Sequence, residues 1–190
     1  MSRKHFFFAL VLIFPLIMTG LFIAQVLKLD SELRLVKEKV MFNKSQQKTL
    51  IIDKHASKRR VYFSVEKNAQ ITKYKREYRG FITSWKVKSD AEDFEKNDSQ
   101  SFYIKVSHIN SGGDSLPFFG LNKAEKDFSY YADLYQFIKG KYFFILIAAF
   151  LAYLFGSGWC IDYFGGITKH KTMGFVFGLN LVYLAVLLFW

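Results

Sequence analysis

Residues 6–27 read FFFALVLIFPLIMTGLFIAQVL, a run without a single charge, preceded by Arg3 and Lys4. At ~1.5 Å per residue a helix of that length reaches about 33 Å, enough to cross a hydrocarbon core of ~30 Å. Pro15 is tolerable in such a helix, because neighbouring helices can satisfy the carbonyl it frees. A cleaved signal peptide shares the basic start and the apolar core. Its core is usually shorter and ends at an A-x-A-like site, and none follows here, so the run predicts an uncleaved anchor over residues 1–28.

A second apolar block fills residues 142–190. One span is expected from Tyr142 to about Ile161 and another from Thr172 to Trp190, joined by Gly165–Lys171, a connection short enough to force an antiparallel hairpin. Trp159, Tyr163 and Trp190 fall where interfacial aromatic belts belong. Ala148, Ala152 and Gly156 are spaced four apart on the second span, and Gly174 and Gly178 form a G-x-x-x-G on the third. Lipid supplies no hydrophobic drive between helices, so close backbone approach at small residues carries their association. These two stripes are expected to face each other; the alternative is that the G-x-x-x-G builds a homodimer. Asp162 lies near the end of its span, within reach of water, Lys169 or Lys171. Asn180 is more central and is expected to donate a hydrogen bond between helices.

Between these blocks the composition reverses. The chain of 190 residues is 51% hydrophobic and carries a net charge of +11, and residues 29–141 hold 22 Lys and Arg against 15 Asp and Glu. A basic body beside a membrane is drawn to anionic headgroups. Residues 29–47 admit two readings: Leu29, Leu33, Val36 and Val40 follow helical spacing and favour an amphipathic continuation of the anchor, whereas Leu33, Leu35, Val36 and Val40 could open a strand.

From Lys48 to Ile109 alternation takes over. The short run Thr49–Ile52, then Val61/Phe63/Val65, Phe81/Thr83/Trp85/Val87 and Phe102/Ile104/Val106 each predict a strand with one packed face. Asp53–Arg59, Glu66–Gln70 and Ser89–Gln100 read as turns and loops. Past the glycines near residue 112 and Pro117, Asn122-Lys123-Ala124-Glu125 resembles a capping box. It predicts an amphipathic helix over about 122–139, with Phe128, Tyr131, Tyr135 and Ile138 on one face, lying along the membrane or the sheet. The expected fold class is membrane α+β: three transmembrane helices, with a small antiparallel β domain, barrel-like or a curled sheet, between spans one and two.

Phe94-Glu95-Lys96-Asn97-Asp98 ahead of the strand Phe102–Val106, then Phe119-Gly120-Leu121 and Phe128-Ser129-Tyr130 before the second span, resemble an uncharacterised family of bacterial inner-membrane proteins. In that family a small β domain sits between transmembrane helices. The resemblance covers about residues 60–155, and Asn97 stands where the family usually has Gly. It implies a fold and a topology, and brings no catalytic residue.

The search for chemistry ends in absences. Cys160 is the one cysteine, which excludes an internal disulfide and a thiolate zinc cluster. His5, His55, His108 and His170 have no second ligand three or four residues away, and His108 reads as a core or strand-end histidine. Asp90, Glu92, Asp93, Glu95 and Asp98 lack the spacing of a calcium loop and are interrupted by Lys96. No nucleophile elbow, phosphate loop, H-E-x-x-H or dinucleotide fingerprint is present. The sequence therefore predicts no enzyme, no cofactor and no metal.

What remains is a basic stretch, 58–88, in which Arg59, Arg60, Lys73, Lys75, Arg76 and Arg79 alternate with Tyr62, Tyr74, Tyr78, Phe81 and Trp85. This is the candidate interaction face. Single-stranded nucleic acid is bound by such mixtures, but Lys and Arg also guard sheet edges. The positive-inside rule puts Arg3, Lys4, Lys169 and Lys171 in the cytoplasm and the β domain outside it, despite the bases near the spans on the domain side. Nucleic acid is then disfavoured, and the expected partners are membrane lipid and a protein within a membrane complex, with homo-oligomerisation open. The leading expectation is an inner-membrane interaction or scaffold module. The alternatives are an accessory subunit of a transporter or secretion complex, or a membrane immunity or exclusion protein.

Overall fold

A computed structural model of the chain describes residues 3–39, 51–55, 58–67, 70–79, 87, 92, 99–108, 115–123, 125–163 and 171–189. The fold is α+β, with four helices and two small sheets among the described residues. Two compact units form: Met1–Ala24 with Lys141–Trp190, and Gln25–Gly140. Helix α1, Arg3–Ser31, passes from the first into the second.

The first unit is helical. Besides α1 it contains α3, Phe143–Tyr163, and α4, Lys171–Phe189. Of these, α1 and α3 are long and apolar enough to cross a membrane; the apolar part of α4, Lys171–Leu187, is shorter. Neither long helix is a buried core element: only 17% of the most apolar window of α1 and 22% of that of α3 are buried. Leu16 (71% exposed), Phe144 and Phe155 all point outward. Val11, Tyr153, Cys160, Phe177 and Leu184 form the core of this unit, with Phe8, Leu12, Phe14 and Phe150 packed around it.

The expected small-residue seam between spans two and three is corrected by this packing. Ala148, Ala152 and Gly178 are exposed, and a methyl group added at Gly178 would meet nothing within 4 Å. Gly174 is half-buried. Gly156 lies against α1, where an added methyl would approach a Val11 methyl at 3.4 Å and the Phe7 ring at 4.0 Å. Large side chains make the contacts instead: the Tyr153 and Phe177 rings meet edge to face at 6.4 Å, and Phe14 stacks on Tyr153 at 6.0 Å. Asn180 does donate between helices. Its Nδ2 reaches the Leu12 carbonyl of α1 at 3.2 Å, in the turn that Pro15 disrupts by lacking an N–H. Thr19 binds the Pro15 carbonyl at 2.9 Å and shares a 2.6 Å hydrogen bond with the Tyr183 hydroxyl.

In the second unit the continuation of the anchor is short. Helix α1 stops at Ser31 and β1, Leu33–Lys39, follows, so the helical reading of 29–47 gives way to the strand reading over the described part. Strand β1 pairs antiparallel with β5, Ser99–Lys105. A second sheet has the order β2-β3-β4-β6, from Ile51–His55, Lys58–Lys67, Gln70–Arg79 and Leu116–Pro117. The β2, β3 and β4 strands are antiparallel neighbours, whereas β6 lies parallel to β4. Phe119, two residues on, bridges Tyr103 of β5, so one short segment touches both sheets.

Of the stretches read as turns, residues 53–55, 58–59, 66–67 and 70 are strand, and 56–57 and 68–69 lie outside the described residues; β4 is a strand that alternation of apolar residues did not reveal. Of the strand expected near Phe81–Lys88 only Val87 is described, and it is helical and buried. The core holds Val61, Phe63, Val65, Tyr74, Tyr78, Phe102, Ile104, Leu116, Phe118 and Leu121. Phe63 sits at its centre, 5.2 Å from both Tyr74 and Phe102 and 4.9 Å from Phe118.

Helix α2, Phe128–Lys141, begins later than the capping-box reading has it. The cap is Asp127, whose Oδ1 accepts the Tyr130 N–H at 2.8 Å. Asn122 serves a different purpose. With φ 54° it turns the chain back onto β5. Its N–H donates to the Ser101 carbonyl at 2.6 Å, and its Oδ1 accepts the Ser101 N–H at 3.2 Å. The buried residues of α2 are Tyr130, Asp133, Leu134, Ile138 and Lys139; of the expected face Phe128, Tyr131, Tyr135 and Ile138, only Ile138 is among them.

Candidate functional site

The β3–β4 hairpin carries both the expected interaction face and the residue that departs from it. Its register pairs Arg60 with Glu77, Tyr62 with Lys75 and Ser64 with Lys73 on one face, and Val61 with Arg76 and Phe63 with Tyr74 on the other. Period-two geometry sends these rows to opposite sides. The outer row therefore holds Arg60, Lys73 and Lys75, with Ile71 68% exposed beside them. It is less basic than the composition of 58–88 suggests. Arg60 Nε meets Glu77 Oε2 at 3.3 Å, and this hydrogen bond raises the Arg60 pKa. Lys75 lies over the Tyr62 ring at 5.9 Å.

The remaining expected members are elsewhere. Arg59 shares the inward parity of Val61 and is half-buried opposite Tyr78. Arg79 ends β4 opposite Lys58, and its side chain is outside the described residues. Arg76 is a correction: it is 1% exposed and belongs to the interior.

Arg76 is held there by a cradle from three elements. Its Nη2 donates to Asp133 Oδ1 at 3.1 Å and to the Asp133 backbone carbonyl at 2.7 Å. The guanidinium carbon lies 4.8 Å from the ring centres of Phe119 and Phe137 and 5.2 Å from Tyr78. Asp133 Oδ2 accepts the Gly120 N–H at 2.9 Å. One carboxylate thus fastens β4, the 116–122 segment and α2 together. Arg76 Nε and Nη1 are buried without a hydrogen-bond partner among the described residues, so aromatic faces compensate only part of what water gave that cation. Gly120 has φ +54°, and a Cβ there would stand 2.8 Å from Tyr130 Cδ2, so the turn admits glycine.

A second cluster ties the end of α1 to α2. Tyr130 donates its hydroxyl to Asp30 Oδ1 at 2.6 Å, and Lys126 Nζ meets the same oxygen at 2.8 Å. Burial, reinforced by the Asp30 hydrogen bond, pushes the Tyr130 hydroxyl far above its usual range; the Asp30 hydrogen bond raises the Lys126 pKa. Tyr103 packs on Tyr130 at 4.7 Å, and burial raises its hydroxyl too. Lys105 meets Glu32 at 2.8 Å, and the Val106 N–H binds the Glu32 carbonyl. Within residues 25–140, α2 and the segment before it are thus tied to Asp30 in the last turn of α1, and the end of β5 to Glu32 just beyond it.

The sequence pattern gave no role to Asp133 or Asp30, and Gly120 and Tyr130 stood out only in the family resemblance. The available signal was an acid inside the apolar stripe Tyr130, Leu134, Phe137 and Ile138, and a base inside the row Tyr74, Arg76 and Tyr78.

Among the described residues, no group of three His, Cys, Asp or Glu is placed to hold a metal ion. His108 is half-buried in the 3-10 turn Val106–His108. Cys160 is a buried free thiol. Asp162 is exposed at the end of α3, and of the acidic cluster only Glu92 is described, also exposed. Comparison with protein-family models, curated proteins and solved structures finds no match for this chain.

Proposed function

We propose that this protein is a non-enzymatic, membrane-anchored interaction or scaffold module of the bacterial envelope. In this reading α1, α3 and α4 all span the inner membrane; the 19 residues of α4 would reach about 28 Å. The N-terminus faces the cytoplasm, the β domain lies outside it and its partner is a protein of a membrane complex. The observation that carries the reading is the outer row of the β3–β4 hairpin, Tyr62, Ile71, Lys73 and Lys75. It leaves apolar and basic groups uncovered on a domain fastened to an apolar helix by Asp30 and Glu32.

Substituting Lys73 and Lys75 with Glu leaves the interior untouched and tests this face. A photo-crosslinker at Ser64 should form a defined adduct in cells, and the double charge reversal should abolish it. An unchanged adduct, or none in either protein, overturns the proposal for this face. Protease accessibility of residues 29–141 in intact against opened cells tests the orientation.

A second reading, an accessory subunit of a transporter or secretion complex, rests on Ala148, Ala152 and Gly178. They remain exposed on α3 and α4, and small residues left open are where another span can approach closely. Purification in mild detergent as a species containing this chain alone counts against it.

A further inference from the structure

Phe128 is 85% exposed, the most exposed of the large apolar side chains described. It occupies the first position of α2, and the residues two before and two after it, Lys126 and Tyr130, both bond Asp30. This bracketing sets its level along α1. Leu27, 55% exposed, ends the apolar run of α1, and Asp30 lies three residues beyond it, about 4.5 Å along the helix axis. The headgroup region on each side of a bilayer is roughly 5–7 Å thick, from the difference between total and hydrocarbon thickness. If Leu27 marks the edge of the hydrocarbon, Asp30 and the segment pinned to it are at headgroup depth.

From this we propose that Phe128 inserts into the headgroup–acyl boundary of the membrane, making the start of α2 a lipid contact of the β domain. The inference rests on the reading that α1 spans the membrane. The occupant is a phospholipid surface, not an anionic one in particular. Lys123 and Lys126 are balanced by Glu125 and Asp127 within the same turn, and Lys126 is engaged by Asp30. An uncharged aromatic ring is what the segment offers. Together with α1, this contact would hold the domain to the bilayer at two points.

The test uses the full chain in nanodiscs, with Cys160→Ala removing the native thiol and single nitroxide labels introduced by Phe128→Cys, Ile17→Cys and Lys73→Cys. Collision with oxygen, which dissolves in lipid, is compared with collision with a water-soluble nickel chelate. The Ile17 label should meet oxygen and not the chelate, and the Lys73 label the reverse. The Phe128 label should lose most of the chelate collision seen at Lys73, equally in phosphatidylcholine and in mixtures with phosphatidylglycerol. A fourth label, Glu125→Cys, keeps the ring in place, and adding Phe128→Ser should raise its chelate collision.

A chelate-accessible label at 128 with a deep label at 17 overturns this inference alone. A chelate-accessible label at 17 overturns the spanning reading as well. Protection at 128 only in anionic lipid, or protection from oxygen and chelate alike, also overturns the inference, the last by indicating a second protein surface.

Discussion

Within residues 25–140, Arg76 and Asp133 are buried while Lys73 and Ile71 stand outside; in the helical unit, Leu16, Phe144 and Phe155 stand outside while Asn180 turns to a backbone carbonyl. Apolar character therefore sorts inside from outside imperfectly within residues 25–140 and hardly at all in the helical unit. In a water-facing domain the core is chosen by hydrophobic burial, and a buried charge persists only where partners meet it. In helices whose outer surface is as apolar as their inner one, apolar character gives no such direction. The interior is then chosen by fit and by hydrogen bonds that have no other partner. Substitutions in the two units should differ accordingly.

The largest effect is expected at Asp133. Asp133→Ala leaves Arg76 buried without its counter-charge and the Gly120 N–H without its acceptor, and should destabilise the full chain by about 3–5 kcal/mol in detergent-solubilised unfolding. The double change Arg76→Met with Asp133→Leu should recover a large part of that loss, since apolar groups of similar size fit an aromatic cradle. Recovery stops short of complete because the Gly120 amide stays orphaned. A single Asp133→Ala change of under ~1 kcal/mol would break the contrast between the units.

Gly120→Ala should cost about 2–3 kcal/mol, combining left-handed backbone strain with a Cβ that meets Tyr130, a ring held by Asp30. The measurement is the same unfolding midpoint.

Lys139 gives a pH signature. Burial lowers its pKa from 10.5 to about 8. Between about pH 8 and pH 10.5 the unfolded chain keeps a proton the folded chain has lost, so folding stability rises with pH across that window and is lowest below it. Lys139→Met should therefore raise the unfolding midpoint at pH 7, by a free energy on the order of 1–3 kcal/mol, and the advantage should fade as pH approaches 10. An advantage independent of pH would place the gain in packing and not in charge.

In the helical unit, with α4 in lipid as proposed, Asn180→Leu should cost only about 0.5–1 kcal/mol, the usual worth of a hydrogen bond between membrane helices. On the outer row of the hairpin, Arg60→Ala should shift the midpoint only slightly, because its half-buried pair with Glu77 is still largely screened by water and salt.

The parts legible beforehand were those whose pattern is simple. Val61, Phe63 and Val65 alternate with polar neighbours and are buried together; Phe102 and Ile104 are buried too, but so is Tyr103 between them, and Val106, expected on the same face, is exposed in the 3-10 turn. The uncharged run at 6–27 is a helix by its length and apolarity, and Asn180 bonds another helix because a polar amide among apolar side chains must find a partner. β4 was not legible because its inner row, Tyr74, Arg76 and Tyr78, alternates with lysines and Glu77, so both faces look polar. The amphipathic face of α2 was misassigned because Phe128 belongs by composition to the buried stripe, while Asp133 belongs by composition outside it. Asn122 offered a plausible cap, yet only its contact with Ser101 on a distant strand shows what it does.

Sequence alone determined that apolar ends flank a charged, strand-bearing middle, since length, charge and periodicity are local properties of the chain. Which charges lie outside, which helices touch and where α2 begins were decided in three dimensions. A base in a strand is exposed or buried according to whether a carboxylate and aromatic rings from elsewhere in the chain arrive to hold it, and no local pattern contains that arrival.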